Sequence, residues 1–358
     1  MTVGLLGLVV LVFLSSFGLT RLLCSPASRL YLLDHPNARS LHTEPLPRTG
    51  GLAIFGSMFL GIIVCVVLGE GAVFQANAIL WILGMALPIG VVSFWDDRAG
   101  LSPGLRLGVQ ALAAAGVVWG AGLTVPAIPV PFVGSLSLGW LAVPVTVLFF
   151  MWMANLYNFM DGMDGFAGGM TMLGYGVLGF IAWRHDHYLL GLAILIGAAA
   201  GGFLLCNLPP ARIFMGDVGS VPMGFIAAAL AVLGVRDGLF NIWVPLLIFS
   251  PFVVDATVTL VRRLLRGERV WRAHREHYYQ RLVLAGWGHR RVVLAEYVLM
   301  LGCGLSAAVY GQAGETVRAV ILLGWIGIYM VLARGVRRVE GRAKAVGADG
   351  CETLRLPP

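Results

Sequence analysis

Long apolar runs separated by short polar segments make up almost the whole chain. About 20 apolar residues are needed to cross a bilayer as a helix, and on this measure we predict eleven membrane-spanning helices. Their predicted ranges are 1–23, 51–69, 76–95, 106–123, 138–154, 166–184, 188–208, 220–235, 241–261, 293–311 and 317–334. The pattern therefore predicts an all-α polytopic membrane protein, with one transmembrane domain at residues 1–335 and a basic tail at 336–358.

Composition supports the same class. Hydrophobic residues form 58% of the chain, charged residues form 12%, and the mean hydropathy of +0.85 excludes an ordinary soluble domain. The net charge of +7 does not indicate nucleic-acid binding, because the basic residues lie in the short segments between apolar runs. The five cysteines contain no C-x-x-C pair, so we interpret them as free thiols.

The distribution of basic residues predicts the orientation. With the N-terminus outside, 22 of the 25 Lys and Arg residues lie in cytoplasmic segments, and only Arg184, Arg236 and Arg318 lie outside. Positive charge accumulates on the cytoplasmic side of membrane proteins. An odd number of spans then places the C-terminus in the cytoplasm, and every polar cluster described below falls on that same face.

The most informative polar stretch is Asn155–Gly169, between two apolar runs. Asn155, Asn158, Asp161 and Asp164 recur at intervals of three, so on a helix their side chains would share one face. Glycines within the stretch allow the backbone to approach a partner closely. Uncompensated carboxylates beside a membrane are costly, and we interpret them as ligands for a metal ion with a phosphate behind it.

Three further carboxylates belong to the same predicted face. Asp96 and Asp97 are adjacent at the end of the third span, so their side chains would point about 100° apart on a helix. One could face a metal while the other faces substrate or acts as a base, although a solvated helix end has the same pattern. Asp217 lies just after Gly216 and three residues before Ser220, at the predicted start of a helix. Asp217 can be interpreted equally well as the N-cap of that helix or as a ligand.

The ligands offered by these segments are all oxygen atoms, which favours Mg²⁺, with Mn²⁺ as the alternative, over zinc. His274 and His277 lie in an Arg-rich segment with Arg272, Arg275 and Arg281, which favours anion binding; a basic stretch lying on lipid headgroups is the alternative. Asp255, inside the ninth span, is either functional or the partner of a basic residue.

Together these segments resemble the polyprenyl-phosphate N-acetylhexosamine-1-phosphate transferases. The resemblance is carried by five motifs in the family's order, within residues 34–282: Pro47-Arg-Thr-Gly-Gly51, Trp95-Asp-Asp97, Asn155-x-x-Asn-Phe-x-Asp-Gly-x-Asp-Gly165, Phe214-Met-Gly-Asp-Val-Gly-Ser220 and His274-x-x-His277. The histidine segment is most similar to the branch that initiates O-antigen and related surface glycans.

The resemblance implies a Mg²⁺-dependent enzyme of the bacterial inner membrane. A UDP-linked N-acetylamino sugar would donate sugar-1-phosphate to undecaprenyl phosphate, giving a lipid diphosphosugar and UMP. The sugar stays open among N-acetylglucosamine, N-acetylgalactosamine and a 6-deoxy amino sugar, with a modified sugar favoured by the histidine segment. Expected partners are the donor, the lipid acceptor and membrane lipid; a homodimer is left open.

The resemblance also implies roles for residues. Asp217 and Asn158 would hold the metal, and Asp96 or Asp97 would deprotonate or position the lipid phosphate, with Asp217 and His274 in the catalytic set. The implied substrate-binding residues are Asn155, Asp161, Asp164, Arg48, His277 and Arg275. Related enzymes often carry a Lys where this chain has Ser40, so Arg39 or Arg48 would take over that charge.

Two other classes share part of the pattern. A cation-coupled transporter would also place carboxylates beside glycine-broken helices, but near mid-membrane and often in repeated halves. No internal repeat is evident, and the carboxylates here cluster towards one face. A lipid-binding scaffold would keep the basic segment but would need no acidic cluster. The enzyme interpretation accounts for both.

Overall fold

The computed structural model describes residues 3–36, 40–71, 74, 76–269 and 274–352, with side chains to residue 343. The helices are α1 Val3–Leu23, α2 Gly50–Val67, α3 Asn77–Ala99, α4 Pro103–Gly120, α5 Ala142–Met160, α6 Phe166–Arg184, α7 Leu189–Asn207, α8 Asp217–Arg236, α9 Trp243–Ile248, α10 Ser250–Leu265, α11 Tyr278–Leu282, α12 Gly288–Gln312 and α13 Glu315–Glu352. Two antiparallel strand pairs join β1 Leu33–Asp34 to β2 Leu46–Pro47 and β3 Ala127–Val130 to β4 Gly134–Ser137. The all-α fold class is confirmed.

The predicted spans correspond closely to these helices. Across the described part of the chain, nine helices are long and apolar enough to cross a membrane. The other two predicted spans are also helical: 106–123 is α4, and 241–261 is divided between α9 and α10. The break falls at Phe249, two residues before Pro251, and proline lacks the N–H that a continuous helix requires.

Helix α8 is the centre of the bundle. Every residue from Val218 to Gly234 is buried, and the helix packs against α5, α3 and α2. Its contact with α5 is close because Gly224 has no side chain: a Cβ there would lie 2.3 Å from the carbonyl oxygen of Met153. This packing fixes the start of α8 beside the end of α5.

Five connecting segments meet at one end of the bundle. Pro47–Gly51 lies along Phe214–Met215, with the Phe214 N–H donating to Pro47 O at 2.8 Å and the Gly51 N–H donating to Met215 O at 2.8 Å. The segments after α3, α5 and α10 reach the same end through side-chain contacts described below. The predicted convergence of the polar clusters on one face of the bundle is thus observed.

One local expectation differs from the structure. Helix α5 ends at Met160, so Asp164 is not on a helical stripe with Asn155 and Asn158. The apolar run locates this helix end poorly, because the helix ends within the polar motif. Helix α13 continues past residue 335 to Glu352, and the division into transmembrane domain and tail stays a prediction.

Candidate active site at the start of α8

The chain enters α8 through a tight turn that only glycine fits. Gly216 has φ +72°, and a Cβ there would meet the carbonyl oxygen of Arg48 at 1.9 Å. This close contact presses the loop before α8 against the Pro47–Gly51 motif. It also leaves the N–H groups of Gly216 and Val218 available to carboxylates from other elements.

Asp97 is bound at this helix start. Its side chain is 1% exposed, and its Oδ2 accepts the Val218 N–H at 3.0 Å. Its Oδ1 lies 3.5 Å from Nε of Arg48, and no hydrogen-bond donor meets that oxygen among the described residues. Arg48 also donates to the backbone carbonyl of Asp97 and lies 3.8 Å from Asp34. Asp97 is therefore held in the interior and is no solvated helix end.

Its neighbour Asp96 points to a different partner. Asp96 Oδ2 lies 2.5 Å from Nη1 of Arg106, and its Oδ1 accepts the Leu101 N–H at 2.6 Å. The two adjacent carboxylates therefore diverge, as helical geometry predicts. Asp97 faces α8 and Asp96 faces α4.

Asn158 and Asp217 are in direct contact. The Asn158 Nδ2 donates to Asp217 Oδ1 at 2.7 Å and to Ser220 Oγ at 3.2 Å. The other oxygen of Asp217 lies 3.5 Å from Nη1 of Arg106. The two residues expected to share a metal thus lie side by side, with Arg106 beside them.

Asp161 follows α5 and binds the same loop. Its Oδ2 accepts the Gly216 N–H at 2.7 Å. Burial raises the pKa of Asp161 well above its usual range, and the nearby charges of Asp217 and Asp97 raise it further. Three carboxyl groups from three elements therefore share one small region.

Asn155 and Asp164 have other partners. Asn155 Nδ2 donates to Gln110 Oε1 at 2.6 Å, which connects α5 to α4. Asp164 accepts the Ala211 N–H at 3.1 Å, and its other oxygen lies 3.0 Å from Nδ1 of His289. Each of the four polar side chains of the motif therefore contacts a different partner.

The histidine segment is held by Asp255. His277 is 3% exposed, and its Nδ1 lies 3.1 Å from Asp255 Oδ1. Asp255 also accepts the N–H groups of Tyr278 at 2.9 Å and Tyr279 at 3.2 Å, at the start of α11. Of the two interpretations of Asp255, the structure supports the partner role.

His274 lies against His277, with ring centroids 4.8 Å apart. Burial first, and then the charges of His277 and Arg263, lower the pKa of His274 from 6.5 to about 4. His274 is therefore neutral near pH 7. Arg275 is half-buried in the same segment, whereas Arg39 and Arg272 lie outside the described residues.

The donors around Asp217 fit a hard divalent cation. Four carboxyl groups (Asp96, Asp97, Asp161 and Asp217) are accompanied by the guanidinium groups of Arg48 and Arg106. Where side chains are described, no three His, Cys, Asp or Glu residues form a ready metal cluster. Mg²⁺ commonly takes one or two carboxylates and completes its shell with phosphate oxygens and water, so the set fits that mode.

A cavity of about 50 Å³ opens beside these residues. Its polar wall contains Arg106, Gln110, Asn158 and Asp217, and its apolar wall contains Ile89, Val92, Val109 and Val221. A small polar group could therefore approach Asp217 beside apolar side chains of α3, α4 and α8.

Three contributors were missed by sequence reasoning. Arg106 and Gln110 are four residues apart on α4, a spacing that places both on one helical face. That spacing was a usable signal. His289 gives no local signal of its contact with Asp164, because the two residues are 125 positions apart and meet only in the folded chain.

Comparisons with known proteins identify the family of the chain. Residues 79–235 match the model of Glycosyl transferase family 4. The chain is 32% identical to the probable undecaprenyl-phosphate N-acetylglucosaminyl 1-phosphate transferase of Bacillus subtilis, over 85% of this chain and 86% of the relative. It is 31% identical to the decaprenyl-phosphate N-acetylglucosaminephosphotransferase of Mycobacterium tuberculosis, over 84% and 81%.

A relative from a second branch shows similar identity. The phospho-N-acetylmuramoyl-pentapeptide-transferase of Desulforudis audaxviator is 33% identical over 77% of this chain and 86% of its own length. The matched family region covers α8 to its next-to-last residue and includes the carboxylates Asp96, Asp97, Asp161, Asp164 and Asp217. The chain therefore belongs to the polyprenyl-phosphate N-acetylhexosamine-1-phosphate transferases of Glycosyl transferase family 4.

Proposed function

We propose that this enzyme transfers an N-acetylamino-sugar-1-phosphate from a UDP-sugar to undecaprenyl phosphate, giving a lipid diphosphosugar and UMP. The observation that carries the proposal is the convergence of Asp97, Asp161 and Asp217 at the start of α8, with Arg48 and Arg106 beside them. Phosphoryl transfer depends mainly on positioning and charge neutralisation, and this arrangement offers both.

The proposed roles follow from the contacts. Asp217 and Asn158 would hold Mg²⁺ or Mn²⁺, which would neutralise charge on the donor diphosphate. Asp97 is the better candidate of the adjacent pair for the acceptor phosphate, because its Oδ1 has no hydrogen-bond donor among the described residues. Asp96 would orient Arg106. His274, presented by the Asp255–His277 contact, would approach the sugar-phosphate end of the donor.

The reaction is proposed for the cytoplasmic membrane face. The positive-inside distribution supports that orientation, since the segments at the active-site end of the bundle hold most of the basic residues. A soluble nucleotide donor and a membrane-bound acceptor would meet at this surface. We propose that the product initiates a surface glycan.

The donor sugar is proposed from the relatives. Two of them are named for N-acetylglucosamine, so UDP-N-acetylglucosamine is the first donor to test. The names of these relatives give no support to the 6-deoxy amino sugar that the histidine segment suggests. A UDP-linked 6-deoxy amino sugar is therefore the second donor to test.

The test is to identify the lipid product by mass spectrometry. Purified protein is incubated with undecaprenyl phosphate, Mg²⁺ and a panel of UDP-N-acetylamino sugars. We expect one donor to give the lipid diphosphosugar with loss of UMP. A folded protein that forms no lipid diphosphosugar from any donor, beside an active control enzyme, would contradict the proposal.

A further inference from the structure

Arg106 lies in the middle of the acidic cluster. One nitrogen, Nη1, is 2.5 Å from Asp96 Oδ2 and 3.5 Å from Asp217 Oδ2. The two carboxylates come from different elements, the end of α3 and the start of α8. A single guanidinium nitrogen therefore connects two elements that meet at the site.

Each side-chain oxygen of Asp217 therefore faces a group of the protein itself. The Oδ1 of Asp217 accepts from the Asn158 amide nitrogen, and its Oδ2 faces Arg106. Asp96 and Asp217 are close enough for their negative charges to oppose each other. Placing one positive charge between them offsets that repulsion.

The Arg106 guanidinium would repel a divalent cation that binds at Asp217. A divalent ion on Asp217 Oδ2 would lie beside the guanidinium, and like charges at such short range repel strongly in a partly buried site. Arg106 has room to leave, because its side chain is 37% exposed and lines the cavity of about 50 Å³ beside Asp217. A guanidinium group also matches phosphate oxygens through parallel N–H donors.

We propose that Arg106 is the resident counter-ion of the metal-free site and moves from Asp217 to the donor diphosphate when a divalent cation binds. This inference rests on the proposed function, since it assumes that Asp217 is a metal ligand. It makes Arg106 a residue that couples two binding events. Metal binding alone requires release of Arg106 from Asp217, whereas a diphosphate gives the released guanidinium a new anionic partner.

Such coupling is reciprocal: the diphosphate raises affinity for the metal by the factor by which the metal raises affinity for the diphosphate. Typical couplings between sites are about 5- to 150-fold. We therefore expect UDP to raise the metal affinity of the wild-type protein roughly tenfold, which lies within that range.

The experiment measures Mn²⁺ binding to the purified full-length protein by electron paramagnetic resonance, with and without UDP. Samples without protein correct for the Mn²⁺–UDP complex in solution. In the wild-type protein UDP should tighten Mn²⁺ binding roughly tenfold. In Arg106→Gln, Mn²⁺ alone should bind about tenfold more tightly than in wild type, and UDP should tighten it by a smaller factor than in wild type, because only the direct attraction between diphosphate and metal remains.

Arg98→Gln is the matched control. Arg98 is exposed, stacks over Phe94 at 5.8 Å and follows Asp97 directly, but no carboxylate partner is found for it among the described side chains. Its substitution removes the same charge near the same carboxylates. We expect Mn²⁺ affinity and the UDP effect to stay within about twofold of wild type, because exposed charges are largely screened.

The outcomes separate this inference from the proposed function. Wild-type Mn²⁺ affinity in Arg106→Gln, together with lost binding in Asp217→Asn, overturns the Arg106 proposal and leaves the metal site intact. Mn²⁺ binding that survives Asp217→Asn overturns both. If Arg106→Gln does not fold, the wild-type protein is the test: Mn²⁺ affinity that UDP does not change overturns the coupling. Arg106→Lys keeps the positive charge and should retain part of the effect of UDP on Mn²⁺ affinity.

Discussion

Single carboxylates in this protein obtain their partners from distant parts of the chain. Asp97 accepts a hydrogen bond from Val218, 121 residues away, and Asp255 accepts from the start of α11, 23 residues away. Sequence reasoning located Asp97 at the end of an apolar run and Asp255 inside one. It left their roles open, because the choice between ligand, cap and structural partner depends on which backbone N–H groups the fold brings near.

His274 gives a pH prediction. Its folded-state pKa is about 4, compared with an ordinary value of 6.5, because burial opposes its charge. Between these values the unfolded chain binds a proton that the folded protein does not bind, so stability falls as pH decreases through this window.

The measurement is the melting temperature of the purified protein at pH 7 and pH 5. We expect a larger decrease for wild type than for His274→Asn, which lacks the titrating group. Parallel decreases in the two proteins would show that His274 is not held neutral by the fold.

At the scale of elements, the site depends on how closely α5 approaches α8. Asn158 is near the end of α5 and Asp217 begins α8, so their contact exists only if the helices stay in register. Gly224 permits that approach. The motif residues therefore rely on a small residue that lies outside all five motifs.

Gly224→Ala should separate the two helices. The new Cβ would lie 2.3 Å from Met153 O, and overpacking of this kind typically costs about 1–3 kcal/mol. We expect a lower melting temperature and reduced turnover. Gly176→Ala in α6 is the control, because no atom of the described residues lies within 4 Å of its added Cβ. Equal behaviour of the two variants would contradict the role given to Gly224.

The histidine segment is positioned by α10 through Asp255. Asp255→Asn keeps the size of the side chain but replaces an acceptor oxygen with a donor nitrogen, leaving buried N–H groups unmatched. We expect unfolding free energy to decrease by about 1–3 kcal/mol and turnover to fall. Thr259→Val removes one donor to the same carboxylate and should cost less. The reverse order in thermal denaturation would argue against Asp255 as the anchor.

At the scale of the whole molecule, hydropathy predicted the helices better than it predicted their ends. The eleven apolar runs all became helical. The division of 241–261 into α9 and α10 was missed, although Pro251 was a visible signal for it. The joining of five segments at one end of the bundle was predictable from charge and polarity, but the individual contacts of Arg106 and His289 were not.

Orientation is the remaining prediction at this scale. A reporter fused after Pro358 should report the cytoplasm, and one inserted at Val133, which is 83% exposed between β3 and β4, should report the opposite side. The basis is the bias of Lys and Arg towards the active-site end. If the C-terminal reporter were outside and the Val133 reporter in the cytoplasm, the active site would lie outside the cell. That result would exclude a cytoplasmic nucleotide donor.

The central claim is that Asp217, at the start of α8, serves lipid-dependent sugar-phosphate transfer. The most direct measurement is UMP release from a UDP-N-acetylamino sugar by wild type and by Asp217→Asn, with and without undecaprenyl phosphate. The account predicts release that requires the lipid and falls at least a hundredfold, on the order expected for loss of one charge-stabilising group, in the folded variant. Undiminished release by Asp217→Asn, or release that ignores the lipid, would contradict it.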